Sequence, residues 1–530
     1  MLPVIGVLVG ILLSLQFYRN KKRRNLPPGP KPLPIIGNIR DLPPKEVPAF
    51  RHWLKHKDTY GPMSSVSVLG QPLILIHDRE AAHELFEKSS GKTSGRPSAN
   101  FGGRLCGYER ILSLQQYGDI FKRHRKMIHR QMGTRAGAAK FREIQDVESH
   151  RFLVRALDDP SNLMGHIRKE AGAVILKMTY GYSIEPHKSD PLVRLVERMV
   201  EGISIVVVPM KFLVDFLPWL EYLPEFLPGM SFKGRARQWR NILDTTIEAP
   251  YQFVRQQMAK GVQRESYVSS VLAQDKLNDS GNDRLDETYE ADIKCTAAIM
   301  YAGGADTTVS TIQSFILAMT VYPEVLKKAQ AEIGNVIGAG RLPGFEDRQN
   351  LPYINGMVKE SLRWMPAVPM GAAHKADDDI YYRDLYIPKG SFLLPNIWWF
   401  LHNPEIYQDP ERFDPERYLE PRNEPDPDNN AYGYGRRICP GRLLADESLF
   451  IVIARVVAAF DIEKDVDERG NTIEPKVEFT TEGALSRPVD YPYRIKPRNA
   501  KCVGLIRAVE REHPWDKGDA SLLPRDMAMV

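Results

Sequence analysis

Only four cysteines stand among the 530 residues, Cys106, Cys295, Cys439 and Cys502, far apart and with no Cys-x-x-Cys pair. That scarcity gives no basis for a disulfide framework or a cysteine-built zinc site, and it fits a reducing compartment. Excess charge of one sign is also nearly missing. The net charge is +5, far below the level that implies nucleic acid. There is no internal repeat and no linker beyond the N-terminal segment. At roughly 150 residues per domain the length allows three or four domains, but without linkers one large unit is the better reading. With 43% hydrophobic and 26% charged residues the chain can bury a large core.

Long apolar runs are missing too, with one exception. Residues 2–18 carry no charge. As a helix they would rise about 25 Å, short of the bilayer core of about 30 Å but adequate if the flanks snorkel. Arg19, Lys21, Lys22, Arg23 and Arg24 follow at once. A cleaved secretory signal would carry its basic residues before the apolar run. The reversed order predicts a single-pass anchor with the remaining chain on the cytosolic side. Prolines crowd LPPGPKPLPIIGN, residues 26–38, and predict a stiff, extended spacer. The expected layout is an anchor over 1–18, a basic and proline-rich hinge over 19–38, one body over 39–497, and a tail over 498–530 that shows no interpretable pattern.

Past residue 130 the periodicity is mostly helical, with short β-like pieces such as SSVSVLGQPLILIH, residues 64–77. The expected fold class is mainly α with small β-sheets.

Three stretches carry chemistry. YAGGADTT, residues 301–308, lies inside a helical pattern that runs from about Ala291 until Pro323. Two glycines inside a helix cost about 2 kcal/mol relative to alanine. They let another body approach, and Asp306 with Thr307 sets a carboxyl and a hydroxyl beside that gap. Such a pair could open a kink, hold a water and relay protons. A glycine-mediated helix crossing explains the glycines equally well. In ESLR, Glu360 and Arg363 share a helix face. Exposed, the pair means little; buried, its guanidinium needs a further partner, and FDPERY offers Arg417 in that neighbourhood. Finally, YGYGRRICPG, residues 432–441, frames Cys439 with Gly433, Gly435 and Gly441, just ahead of the helical RLLADESLFIVIARVVAAF. A helix start favours a thiolate, so Cys439 is a nucleophile or a metal ligand. No Cys/His signature supplies the base that a nucleophile needs. A haem-iron ligand wants a glycine-rich backbone and cations for the propionates, and Arg436 and Arg437 meet the second demand.

Together these stretches resemble the haem-thiolate monooxygenases of the cytochrome P-450 superfamily. The pattern F-x-x-G-x-R-x-C-x-G is matched at Gly435, Arg437, Cys439 and Gly441, and [A/G]-G-x-[D/E]-T at Gly303, Gly304, Asp306 and Thr307. Glu360 and Arg363 match E-x-x-R, and Arg417 the arginine of P-E-R-F. The resemblance implies haem b held by Cys439 as axial thiolate, and a proton relay of Asp306 and Thr307. It also implies a structural triad of Glu360, Arg363 and Arg417, with propionate contacts from Arg437, Arg125 and His374. Arg125 lies in YGDIFKRHRKMIHR, similar to the family's W-x-x-x-R helix. Three positions depart from the pattern: Tyr432 and Tyr418 stand for phenylalanine, and Phe121 for tryptophan.

The run FLVDFLPWLEYLPEFLPGMSFK, residues 212–233, is similar to a segment of the O-methylsterigmatocystin oxidoreductase-like branch of filamentous fungi, which serves secondary metabolism. The resemblance places this run at the substrate entrance, against membrane lipid. It implies a membrane of the endoplasmic reticulum, electrons from NADPH through NADPH–cytochrome P-450 reductase, and a hydrophobic small-molecule substrate that is hydroxylated or epoxidised. Lys122, Arg123, Arg125, Lys126 and Arg130 offer a basic patch for that acidic partner, with one or two of them turned to the haem. Nucleic acid is not an expected partner. A haem-thiolate isomerase or dehydratase that needs no reductase, and a non-catalytic membrane haem-binding protein, are the competing readings. Polyketide, terpenoid and alkaloid substrates all remain open. HWLKH, residues 52–56, lacks the glutamate and third ligand of a zinc protease.

Overall fold

The computed structural model describes residues 25–278, 286–480 and 482–523. The apolar run 2–18 and the basic cluster 19–24 lie outside the described residues. Among the described residues no single helix is long and apolar enough to cross a membrane.

Helices dominate. In chain order the long ones are α1 (Ala49–Tyr60), α2 (Asp119–Met132), α3 (Arg142–Asp158), α4 (Leu163–Tyr180), α5 (Pro191–Val206) and α6 (Phe232–Ala259). They continue as α7 (Tyr267–Asn278), α8 (Glu287–Val321), α9 (Pro323–Val336), α10 (Pro352–Trp364), α11 (Arg442–Ala459) and α12 (Ala500–Glu512). The strands are β1 (Met63–Val68), β2 (Gln71–Ile76), β3 (His374–Lys375), β4 (Ile380–Tyr382), β5 (Leu385–Ile387), β6 (Phe392–Pro395), β7 (Phe460–Glu463) and β8 (Arg494–Pro497). The mainly helical expectation with small sheets holds.

The 64–77 run folds into the β1–β2 hairpin. Leu69 and Gly70 both have positive φ, +47° and +86°, the turn geometry whose twist suits a two-residue hairpin. β2 then pairs parallel with β6, and β6 antiparallel with β3, setting His374 opposite Leu393. Two further pairs, β4–β5 and β7–β8, lie apart from this sheet.

The proline segment is strapped along β1. Ser65 N–H donates to Pro28 O at 2.9 Å, Asn38 N–H to Ser67 O at 2.6 Å, and Ser67 N–H to Asn38 Oδ1 at 2.9 Å. A Cβ at Gly29 would meet Ser65 O at 1.8 Å, so glycine is required for this close approach.

α8 threads the whole interior. Its N-terminal half joins a core with α4, α5 and α6, including Ala297, Ala298 and Tyr301. Its C-terminal half joins a second core with α10 and α11, including Ile312, Phe315 and Leu317. The Gly303–Thr308 stretch sits at the junction of the two. α8 is broadly apolar and buried, which is why its pattern carries no amphipathic signature. Tyr322 ends it and Pro323 opens α9 at the first helical position.

The tail that shows no pattern in sequence is packed. Asn499 caps α12 by accepting from Cys502 N–H, and α12 lies on α3. Beyond it, Trp515 lies under the guanidinium groups of Arg151 and Arg155, at 5.4 and 4.9 Å. Asp516 accepts from Lys177 at 2.9 Å, and Asp519 from Ser183 N–H at 2.8 Å.

Candidate active site

An interior cavity of about 360 Å³ opens where α8 passes the loop before α11. Cys439, Thr307, Gly303, Arg125, Arg437 and His374 are in its wall.

The cysteine loop is held by its backbone. Cys439 N–H donates to Tyr432 O at 2.9 Å, and Arg437 N–H to Tyr434 O at 3.1 Å. Gly435 has φ +51°, and a Cβ there would meet Phe86 O at 2.2 Å. Only glycine fits between this turn and residue 86. Burial pushes the Cys439 thiol up; the N–H groups of Gly441 and Arg442 and the charges of Arg125 and Arg442 pull it down without prevailing. Against the expectation that a helix start favours the thiolate, desolvation outweighs the pull of these N–H groups.

The two glycines of α8 divide the roles left open by the sequence. A Cβ on Gly304 would come within 2.9 Å of Ile175 Cδ1, so this residue serves the crossing with α4. A Cβ on Gly303 would meet nothing within 4 Å; it would project into the cavity space. α8 itself runs unbroken across both. Thr307 faces the cavity, with Oγ1 donating to Gly303 O at 2.8 Å. Asp306 is turned out of the cavity wall. Its Oδ2 lies 3.3 Å from Arg487 Nη2, and burial raises its pKa against the pull of Arg487 and Arg168. The two neighbours therefore face different compartments.

Three guanidinium groups gather at one end of the cavity. Arg96 donates to the carbonyls of Ser113, Ala372 and Ala373, Arg125 to Ile438 O at 2.7 Å, and Arg437 to Ser94 O and Gln115 O at 2.8 and 2.7 Å. Each of these bonds goes to a backbone carbonyl, and among the described residues none of the three has a carboxylate in ion-pair range. Burial pulls Arg437 down to about 9, helped by Arg96 and Arg125, and Arg96 down to about 10. His374 is buried beside them. Its Nδ1–H donates to Thr93 O at 2.7 Å, and burial with the neighbouring Arg96 holds it neutral. Buried cations without counter-charge are costly. The arrangement asks for a dianion.

A haem is the group these residues fit. The fit rests on the arginines without carboxylate partners, Cys439 in the cavity wall, and the free space over Gly303. At Gly441 an added Cβ would meet only Met132 Sδ at 3.7 Å, so no protein atom requires glycine there. Arg96 was not singled out by sequence reasoning. It sits in a loop without a motif, and its role emerges only when that loop meets residues 372–374.

The departures from the family pattern are all in use or in place. Phe121 carries the Arg437 guanidinium 4.0 Å over its ring, and Tyr117 carries Arg436 at 4.9 Å. Tyr418 Oη donates to Glu360 Oε2 at 3.0 Å. The Tyr432 hydroxyl is buried without a hydrogen-bond partner.

Glu360, Arg363 and Arg417 are brought together with no exposed surface. Arg363 makes a two-pronged contact with Glu360 at 2.7 and 2.8 Å, Arg417 Nε donates to it at 3.1 Å, and Asp414 N–H adds a bond at 2.8 Å. The remaining guanidinium protons go to the carbonyls of Leu401, Gln408, Asp409 and Arg412 and, from Arg417, to the Glu424 carboxylate at 3.1 Å. Every buried charge is satisfied, the condition under which such a cluster is tolerated.

Of the basic residues on α2, Lys126 and Arg130 are exposed, whereas Arg123 is committed to Asp292 at 2.8 Å together with His124.

The sequence model of the family described as Cytochrome P450 matches residues 27–487. The chain is 85% identical over its full length, and the full length of the relative, to cytochrome P450 monooxygenase CLM2 of Gibberella zeae. It is 45% identical to the multifunctional cytochrome P450 monooxygenase af510 of Aspergillus fumigatus, covering 97% of this chain and 96% of that one. It is 38% identical to the O-methylsterigmatocystin oxidoreductase of Aspergillus flavus, covering 99% and 97%. The chain belongs to the cytochrome P450 family and is a cytochrome P450 monooxygenase.

Proposed function

We propose that this protein is a membrane-anchored monooxygenase of fungal secondary metabolism. It would insert one atom of dioxygen into a hydrophobic small molecule by hydroxylation or epoxidation, with electrons from NADPH through a reductase. The observation that carries the reaction type is Thr307, the hydroxyl that faces the same cavity as the Cys439 sulfur.

Cys439 would ligate the haem iron, and Arg96, Arg125, Arg437 and neutral His374 would hold the propionates. Bound there, haem b supplies the oxygen-activating redox chemistry, which a thiolate ligand promotes by electron donation. The chain's own residues do the rest. Thr307 holds a proton at Oγ1 on the cavity side of α8. Asp306, whose pKa is raised by burial, stands on the far side as a carboxyl beside Arg487 that can take up and release one. Rotation of the Asp306 side chain away from Arg487 would pass protons inward from outside the wall, while the apolar wall keeps bulk water out.

Leu213, Trp219, Tyr222 and Phe226 expose large apolar surface, Phe226 to 85%. Together with the apolar run 2–18 they support contact with a membrane of the endoplasmic reticulum. Lys126 and Arg130 support docking of an acidic reductase. The fungal relatives, one of them named for oxidising O-methylsterigmatocystin, support a substrate from secondary metabolism.

The test is reconstitution in vesicles with and without NADPH–cytochrome P-450 reductase, using extracts of a deletion strain as the substrate source. A product carrying label from ¹⁸O₂ only when NADPH and reductase are present is expected. Product without them would overturn the monooxygenase reading in favour of an isomerase or dehydratase.

A further inference from the structure

We infer a divalent transition-metal site, best suited to zinc, formed by Asp146, His150 and His513 where the C-terminal tail meets α3. The ligand atoms of the three side chains all lie within 4.8 Å of one another. Nothing in the haem cavity involves them.

Two ligands come from one helix. Asp146 and His150 are four residues apart on α3, so they share a face. Asp146 Oδ2 and His150 Nδ1 are 3.4 Å apart, yet His150 Nδ1 is buried without a hydrogen bond. Two ligand atoms on a tetrahedral zinc, with bonds near 2.0–2.1 Å, lie about 3.3 Å apart. The pair already stands at the edge length of a zinc tetrahedron.

The third ligand is supplied by the tail. His513 follows the last residue of α12 and is fixed by its N–H bond to Val509 O at 2.7 Å. Its ring lies 6.0 Å from that of His150, inclined by 21°. Two imidazoles and one carboxylate make a nitrogen-rich set of the kind that takes zinc, with water completing the tetrahedron. His513 lies beyond residue 487, where the family match ends.

Arg455 occupies Oδ1 of Asp146 and is itself tied to Asp146 O and Ser149 Oγ at 2.7 and 2.6 Å. It thereby aims the carboxylate from behind and leaves Oδ2 free, as groups around metal sites commonly do. A metal here would join the tail to α3 and, through Arg455, to α11, the helix that opens after Cys439.

The test uses untagged haem-loaded enzyme, freed of metal with a chelator and dialysed against zinc. One zinc per chain by elemental analysis, and a zinc-dependent rise in the thermal midpoint, are expected. His513→Ala, whose side chain lies outside the two main cores, is expected to keep the haem absorbance and to lose zinc affinity by about 100-fold, with loss of the zinc-dependent rise. His150→Gln is expected to do the same. Absence of stoichiometric zinc in the wild type would overturn the site. So would a rise that persists in His513→Ala.

Discussion

The Arg437 guanidinium lies 4.0 Å over the ring of Phe121. A planar cation on an aromatic face is held in orientation and partly compensated for lost water. Arg437→Leu removes a charged donor worth about 1.5–3 kcal/mol to an anionic ligand. Haem retention should fall about tenfold or more, measured as haem per chain after gel filtration. Phe121→Leu should lower it only a few-fold, and Phe121→Trp should preserve it, because the indole keeps the aromatic face.

Glu360 is the single carboxylate between two buried arginines. Glu360→Gln would leave Arg363 without a counter-charge, at a cost of roughly 3–5 kcal/mol, while Arg417 would keep only Glu424, 3.1 Å away. That is a large share of a typical folding free energy. Sharply reduced soluble yield, and a lower urea midpoint for what remains, are the expected results. Tyr418→Phe deletes one of the bonds to Glu360 and should cost about 1 kcal/mol. A Glu360→Gln protein as stable as wild type would contradict the role of the cluster.

Tyr432→Phe should behave in the opposite way. The hydroxyl is buried and unpartnered, so it carries a desolvation cost with no bond to offset it. Its removal should raise the thermal midpoint, by an amount on the order of 1 kcal/mol, while Cys439 N–H keeps its bond to the backbone carbonyl of residue 432. A loss of stability would mean that the hydroxyl has a partner.

Acid should destabilise the fold in a defined window. His77 is buried, neither ring nitrogen is hydrogen-bonded, and burial pulls it down to about 4, aided by His56 and Lys57. The unfolded chain takes up this proton near pH 6.5 and the folded one only near pH 4. The contribution is present above pH 6.5 and is lost as the pH falls toward 4. The thermal midpoint should decline across that interval, and His77→Leu should flatten the decline. An unchanged slope would show that other histidines dominate.

The sequence carried the parts of the site that are local. The turn around Cys439 is set by glycines at fixed offsets, and Glu360 with Arg363 needs only one helical turn. Arg417 was within reach because a buried fork demands another partner. Arg96 was not, since nothing near it in sequence distinguishes it from a surface arginine. Asp306 and Thr307 were read as a unit, but adjacent residues on a helix differ by about 100° in direction, and only Thr307 reaches the cavity. The tail gave no signal because its anchors, Trp515, Asp516 and Asp519, act on α3, α4 and the segment after α4, far away in the chain. The prolines predict a stiff, extended spacer, but which surface it lies against is not local information: its backbone hydrogen bonds to β1 fix it to the body.

The cationic end of the cavity draws on residues 96, 125, 374 and 437, with the sulfur at 439. A ribosome therefore releases the last wall of this pocket only after more than four-fifths of the chain has been made. A haem held by these residues would be loaded late in biogenesis, once segments far apart in the chain have come together. A chain in which the segments around residues 96, 125, 374 and 437 fail to meet would lack the cationic end of this cavity.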